Sequence, residues 1–236
     1  MVKEQNRRCV VLKKAVVLAC LAVALIKTPA YADVSWDEVV QRVSKSIVKI
    51  EVYTGDGEPG TCSAFSINEL HGYYLTAAHC YSPVLIIDGH VSYVVYLDRR
   101  LDLMILSVSG SKRPALKPAE GTAAAETPVV VIGFPYGVDD HDDHDESVKV
   151  GDGAVALSGA IQVADILRPT LVVGDITYRG QRWVYIDFPF LGGQSGGPII
   201  NPDGQVVSVV QASNSVRGLG RPLSVILAAI EYWWER

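Results

Sequence analysis

The chain lacks several features that would place it in other classes of protein. Its 236 residues contain no internal repeat and no low-complexity tract, which excludes repeat architectures and disordered linkers. It has no excess of positive charge, because the formal net charge is -5 at pH 7. An acidic chain is a poor partner for nucleic acid or for anionic lipid. We therefore expect neither nucleic acid nor a membrane as a partner of the mature protein.

The sequence also lacks a hydrophobic run as long as a transmembrane helix. Its longest apolar stretch lies near the amino terminus and has the features of a leader. The apolar stretch from Ala15 to Ile26 is shorter than the about 20 residues that a transmembrane helix needs. Basic residues precede it, and Ala30-Tyr31-Ala32 is a small-x-small cleavage site. We predict a secretory signal peptide over residues 1–32, cleaved after Ala32, and a periplasmic or extracellular mature protein over 33–236. A membrane anchor is the alternative interpretation.

Cysteine is scarce, and only two of the four cysteines lie outside the predicted leader. Cys62 and Cys80 are then an even pair in an exported chain, for which a disulfide is the default in an oxidising compartment. Two buried free thiols are the alternative. Because Cys80 directly follows His79, a disulfide would hold the turn of this histidine against the strand near Cys62.

Short β-rich runs separated by turns make up most of the chain after Ile47. Many short strands with turns between them indicate an all-β sandwich or barrel. A capping box at Ser35–Glu38 predicts a short helix over about 36–44. Apolar residues on one face predict a closing helix over about 224–234.

A linker divides the predicted strands into two sets of similar length. Pro114, Pro118 and Gly121, with small residues between them, carry this signal. The two sets extend over about 46–117 and about 122–223. The length that remains after the leader suits one domain with an ample core, or two small barrels that share a cleft.

Three short motifs carry residues that nucleophilic catalysis requires. Ser195 lies among glycines in Gly192-Gly193-Gln194-Ser195-Gly196-Gly197, and glycine lets the backbone approach a developing oxyanion closely. His79 follows a short apolar run, and Asp102 directly precedes another. A serine hydroxyl needs a base within hydrogen-bond reach, and the base needs an orienting partner. The order His, Asp, Ser is one of the known chain orders of the catalytic triad.

At these motifs the chain resembles the trypsin-like (chymotrypsin-fold) serine peptidases, most closely their HtrA-like bacterial branch. The resemblance implies an all-β fold of two β-barrels, with the active site in the cleft between them. It implies that His79 is the general base, that Asp102 orients it and that Ser195 is the nucleophile. The oxyanion hole would be the N–H groups of Gly193 and Ser195. The family also has a disulfide at the matching place, and the resemblance implies no cofactor and no metal.

Some residues leave alternatives open or depart from the family pattern. Asp88 and Asp98 are rival acids, but only Asp102 directly precedes an unbroken apolar run, as in the family. Gln194 stands where zymogen-activated members have Asp, so we do not expect activation by a newly cut amino terminus. The length leaves no room for the PDZ domain that is typical of HtrA-like proteins. A non-catalytic relative that binds peptides or unfolded chains in the same cleft is the alternative function.

The family resemblance also indicates where a substrate would bind. Pro189 stands six residues before Ser195, where members that cleave after Arg or Lys have Asp. A pocket floor without a carboxylate favours a small or medium apolar P1 side chain, because a buried cation would stay unpaired. Asp187 could reach the pocket if a bulge shifted the register. The strand at Ala212-Ser213-Asn214 is expected to pair with the substrate backbone.

An acidic block from Asp139 to Glu146 contains two histidines, His141 and His144. Carboxylates suit Ca²⁺, and histidines at i and i+3 suit Zn²⁺. The block lacks the spacing of an EF-hand loop. We interpret it as a solvated acidic loop rather than a metal site.

We therefore predict that chelation with EDTA leaves the melting temperature of the purified protein unchanged. A metal that binds only the native state would stabilise it by mass action, and its removal would lower the melting temperature. Differential scanning fluorimetry with and without EDTA measures this. A fall of several degrees that Ca²⁺ or Zn²⁺ restores would contradict the interpretation.

Overall fold

The computed structural model describes residues 34–55, 59–121, 127–135, 148–150, 154–158, 170–178, 181–213 and 217–235. The chain divides into two units, Met1–Val34 and Ser35–Arg236, and every described helix and strand belongs to the second. The predicted signal peptide and the acidic block lie outside the described residues. Among the helices that the structure describes, none has the length and apolar character of a membrane span.

Helix α1 (Trp36–Ser44) begins at the predicted capping residue. The Ser35 hydroxyl oxygen accepts a hydrogen bond from the Glu38 backbone N–H at 3.5 Å, which satisfies one of the unpaired donors at the helix start. The side chains of Val39, Val40 and Val43 are buried, as the helical spacing of the valines predicts.

Seven antiparallel strands form the first sheet. They are β1 (Ile47–Tyr53), β2 (Gly60–Asn68), β3 (Tyr73–Thr76), β4 (Val84–Ile87), β5 (His90–Val91), β6 (Tyr93–Asp98) and β7 (Leu103–Ser107). Their order in the sheet is β5-β4-β1-β2-β3-β7-β6. Ile50, Tyr74 and Leu106 are fully buried in the core on one side of this sheet. A one-turn 3₁₀ helix (Ala78–Cys80) follows β3.

Eight strands form the second sheet. They are β8 (Pro128–Gly133), β9 (Val148–Val150), β10 (Ala154–Ser158), β11 (Thr170–Tyr178), β12 (Gln181–Ile186), β13 (Pro198–Ile200), β14 (Val206–Ser213) and β15 (Gly218–Pro222). Their order is β11-β12-β15-β14-β13-β8-β10-β9, and a further pairing of β11 with β8 closes the sheet on itself. Val131, Ile186 and Ile199 are fully buried inside it. Closure gives β11 a partner on each side, while β9 pairs with β10 alone among the described strands.

The predicted linker lies against the second sheet through backbone hydrogen bonds. The N–H of Ala119 donates to the Val206 carbonyl at 2.8 Å, and the Val206 N–H donates to the Lys117 carbonyl at 2.9 Å. On the other side, the N–H of Leu116 donates to the Ser66 carbonyl on β2 at 2.9 Å. The segment between the two sheets is therefore held at both ends.

Helix α2 (Leu223–Glu235) follows the second sheet and packs on strands of both sheets, on β2 of the first and on β14 and β15 of the second. The indole N–H of Trp234 donates to the Leu116 carbonyl at 2.9 Å, and its ring lies 6.1 Å from that of Phe65. The Asn68 amide donates to the Trp233 carbonyl at 3.4 Å. The predicted all-β architecture with a helix before and after the strands is confirmed.

The predicted disulfide between Cys62 and Cys80 is present and joins β2 to the 3₁₀ turn. In the chain-entropy model a disulfide that closes a loop of this size contributes about 3 kcal/mol to stability. We predict that Cys62→Ala/Cys80→Ala loses about this free energy of unfolding in urea titrations. Thiol titration of the native, unreduced wild type is the control, and two reactive cysteines there would contradict the prediction.

Candidate active site

His79 and Asp102 lie on neighbouring turns because the strands that carry them are paired. Thr76 at the end of β3 stands opposite Met104 near the start of β7. The Asp102 carboxylate accepts hydrogen bonds from His79 Nδ1 and from the His79 backbone N–H, both at 2.8 Å. An ionised carboxylate only accepts hydrogen bonds, so Nδ1 is the donor. The ring is thus oriented with Nε2 as its free base nitrogen.

The two rival acids do not contact this histidine. Asp88 is paired with Arg113 through two hydrogen bonds of 2.8 and 2.9 Å. Asp98 accepts hydrogen bonds from the N–H groups of Arg100 and Leu101. Burial raises the pKa of the Asp98 carboxyl, but these hydrogen bonds outweigh it and hold that pKa below its usual value. Both side chains have local roles at their own turns.

The turn of Asp102 has an uncommon backbone conformation. Its φ angle is 54°, in the left-handed region that L-residues seldom adopt, although Asp tolerates it better than most. The Gln211 side chain on β14 donates through Nε2 to the backbone carbonyls of Leu101 and Asp102, at 2.8 and 2.7 Å. A residue of the second sheet therefore holds a turn of the first. No local motif in the sequence marks Gln211.

Ser195 lies on a glycine-rich turn that precedes β13. The Gln194 N–H donates to the Leu191 carbonyl at 3.2 Å, and Gly193 at the third position of this turn has a φ of 93°. A turn of this geometry requires a residue that tolerates positive φ. The Gln194 side-chain oxygen also accepts from the Leu191 N–H at 2.8 Å. These bonds hold the residues before Ser195 in one conformation.

The serine turn docks directly on the first sheet. The Ser63 N–H donates to the Ser195 carbonyl, and the Ser63 hydroxyl donates to the Gly193 carbonyl, both at 2.8 Å. A Cβ atom at Gly196 would lie 2.1 Å from the Thr76 hydroxyl oxygen. The Ser195 carbonyl also lies 3.8 Å from the Cys80 sulfur. The structure therefore brings the serine turn beside the turn of His79.

The backbone donors near Ser195 remain available. Within the described residues, the N–H groups of Gly193 and Ser195 donate to no other protein group. The Ser195 residue is partly buried, and 44% of the His79 side chain is exposed. In this part of the chain no hydrogen bond joins the Ser195 hydroxyl to the His79 ring. In substrate-free sites such bonds are often long and tighten when substrate binds.

Two of the residues predicted for the substrate pocket, Pro189 and Ser213, adjoin Phe190, whose aromatic ring is buried. Pro189 is partly buried, and the next residue, Phe190, is 8% exposed. A Cβ atom at Gly218 would lie 2.3 Å from the Phe190 ring, so the ring occupies the space that the missing side chain leaves. The backbone N–H of Phe190 donates to the Ser213 hydroxyl oxygen at 2.8 Å. No local motif predicts a role for Phe190 or Gly218, because their contact is visible only in three dimensions.

Asp187 lies at the surface beside Arg217. Its side chain is 63% exposed, and one carboxylate oxygen lies 3.9 Å from Arg217 Nε. Strand β12 ends at Ile186, directly before Asp187, and its pairing with β15 is in regular register. A charge at this place is screened by solvent and balanced by the arginine.

The end of β14 has one edge that the described strands leave open. β13 pairs with β14 as far as Val209, while Ala212 and Ser213 pair with β15 on the other side. Ala212 and Ser213 are exposed, and Asn214 lies outside the described residues. An open antiparallel edge can accept an extended peptide as a further strand. Among the described residues, no three His, Cys, Asp or Glu side chains are grouped to hold a metal ion.

A curled first sheet, a closed second sheet and a His–Asp pair beside a glycine-rich serine turn define the trypsin-like class. Residues 62–209 match the model of the trypsin-like peptidase domain, and the chain belongs to this family. The match begins at the first cysteine of the disulfide and includes all three motifs of the site.

Several known proteases are similar to the chain in sequence or in structure. "Probable periplasmic serine endoprotease DegP-like" from Chlamydia pneumoniae is 27% identical over 177 residues, which are 66% of this chain and 30% of that protein. The active form of the Rv3671c protease from M. tuberculosis has a TM-score of 0.65 at 21% identity, covering 86% of each chain. The serine endoprotease from Yersinia pestis has a TM-score of 0.61 at 17% identity, covering 85% of this chain and 66% of that one. Because the two solved structures are only 21% and 17% identical to the chain, their similarity shows a shared fold and nothing further.

Proposed function

We propose that this chain is an exported serine endopeptidase in which His79, Asp102 and Ser195 form the catalytic triad. The observation that carries the proposal is the double hydrogen bond between His79 and Asp102, 2.8 Å in each case. Beside it lies the docked turn of Ser195. A cleft that only binds peptides needs no imidazole held in one tautomer, so this geometry favours catalysis over the non-catalytic alternative.

The proposed reaction proceeds through an acyl-enzyme. His79 Nε2 takes the proton of the Ser195 hydroxyl as its oxygen attacks the scissile carbonyl carbon. The N–H groups of Gly193 and Ser195 donate to the oxyanion, which they stabilise because they are already oriented. His79 then gives the proton to the leaving amine. A water molecule repeats the sequence and releases the acyl group, while Asp102 stabilises the imidazolium in both halves. The proposed reaction consists only of proton transfer and acyl transfer, so it requires no cofactor.

For the pocket we propose a preference for small or medium apolar P1 side chains. The support is Pro189 at the proposed floor, together with the Phe190 ring packed against Gly218, which narrows the space. Apolar burial is favourable and needs no polar partner. We propose that the substrate backbone pairs with the open edge at Ala212, Ser213 and Asn214.

For the whole chain we propose a signal peptide over 1–32 and a peptidase domain over 33–236. The domain would consist of an N-terminal barrel over about 46–117, a C-terminal barrel over about 122–223 and the closing helix. Export to the periplasm or the extracellular space is supported by the disulfide between Cys62 and Cys80. The printed description of the Chlamydia pneumoniae relative as periplasmic adds to this support.

Ser195→Ala should abolish the hydrolysis of casein, because it removes the nucleophile and leaves only the small residual rate that binding and the oxyanion hole supply. A fluorophosphonate probe should label Ser195 in the wild type, as read by mass spectrometry of the modified peptide. Ser109→Ala, an exposed serine on a distant turn, is the control and should keep full activity and labelling. Unchanged cleavage by Ser195→Ala would refute the proposed nucleophile.

Peptide-library cleavage should show Val, Ala or Leu at P1, with a shallow preference among them. One methylene in an apolar pocket discriminates by only about 10- to 200-fold. Asp187→Asn is the matched variant and should leave the profile unchanged, since Asp187 is exposed and lies beside Arg217. A dominant Arg or Lys at P1 that this variant abolishes would show that the pocket floor is misassigned.

A further inference from the structure

A buried arginine reaches the candidate active site from the interior of the second sheet. Arg221 on β15 is 1% exposed, and its guanidinium carbon lies 3.9 Å from the centre of the Trp183 ring. Nη1 donates to the Arg182 carbonyl at 3.1 Å, and Nε donates to the Gln211 side-chain oxygen at 3.2 Å. Burial of a cation is costly unless its environment compensates. Here the face of the Trp183 ring and the two acceptor oxygens compensate for the burial of the Arg221 guanidinium.

Gln211 connects this arginine to the turn of Asp102. Its Oε1 accepts from Arg221, and its Nε2 donates to the carbonyls of Leu101 and Asp102 at 2.8 and 2.7 Å. A guanidinium only donates and a carbonyl only accepts, so the two ends of the amide have a single possible assignment. Arg221 and the two carbonyls together set which way the Gln211 amide faces.

The turn that receives these two hydrogen bonds is the one that needs support. Asp102 has a φ of 54°, a sparsely populated conformation that persists only when the surrounding structure holds it. In this conformation both carboxylate oxygens face donors on His79. Burial holds the pKa of the Arg221 guanidinium below its usual value, and the negative charge of Asp102 partly opposes this shift.

We propose that Arg221 is a positioning residue for Asp102 and acts through Gln211. The proposal rests on the proposed function of Asp102 in the triad. Arg221 would contact no substrate atom. It keeps the Gln211 amide in the orientation that holds the Asp102 turn, and so keeps the His79 ring aligned for proton transfer.

The test compares Arg221→Met, Gln211→Met and the double variant with the wild type. Methionine keeps a similar length without donors or acceptors. Because small misplacements of catalytic groups can cost up to about 100-fold in rate, we expect kcat to fall by about 10- to 100-fold with KM unchanged. The double variant should be no slower than the worse single variant, because the two residues act as one unit.

Arg42→Met is the matched control. It removes the same charge and one arginine-to-carbonyl hydrogen bond, from Arg42 to Asp203 at 3.1 Å, far from the triad residues. Its kcat should equal that of the wild type. Urea unfolding of each variant shows whether it is folded, and Gln211→Met carries the test if Arg221→Met does not fold.

A spectroscopic readout separates this proposal from the proposed function. The proton between His79 Nδ1 and Asp102 should give a low-field ¹H NMR signal in the wild type and in Ser195→Ala. This signal should be absent in Arg221→Met and in Gln211→Met. Failure of the probe to label Ser195 in the wild type would count against the triad, yet the NMR comparison would still decide the positioning role. Wild-type kcat and an unchanged low-field signal in the folded Arg221 and Gln211 variants would overturn the inference.

Discussion

The site depends on the close approach of the serine turn to the first sheet. Gly196 has a φ of 83°, and a Cβ atom there would lie 2.4 Å from the Ser63 carbonyl oxygen. Only glycine meets both conditions, because it has neither the steric bar to positive φ nor a side chain. This approach lets the Ser63 backbone bind the Ser195 carbonyl. Without it the serine and the histidine would remain on separate sheets.

Several buried polar groups lie near the place where the two sheets meet. Ser63, Thr76 and Gln211 are each at most 5% exposed, and each has a hydrogen-bond partner in the segment it faces. Paired polar groups in a low-dielectric region favour one relative arrangement, because every alternative leaves them unsatisfied. Within the described residues, Gln194 Nε2 is a buried polar atom without a partner. The other end of the same amide, Gln194 Oε1, accepts from the Leu191 N–H in the turn before Ser195.

Sequence reasoning could identify the class of fold and the residues that sit in local motifs. His79, Asp102 and Ser195 each lie beside a recognisable apolar run or glycine turn, and the capping box marks α1. Arg221 and Gln211 have no such signal, because their importance comes from the register between β14 and β15, which places Gln211 behind the Asp102 turn. The surroundings of Asp187 could not be predicted either, because Arg217, the cation beside it, is distant in sequence. Pairwise contacts across the cleft are set by packing, which local patterns do not encode.

Helix α2 ties the core of the first sheet to residues that follow the second sheet. The Trp234 ring packs beside Phe65, and its indole N–H binds the Leu116 carbonyl, so the first sheet shares part of its core with a segment that follows the second. Phe65 and Trp234 are far apart in sequence, and contacts of high sequence separation slow folding. Part of the core of the first sheet is therefore a contact that can form only when the residues after β15 are in place.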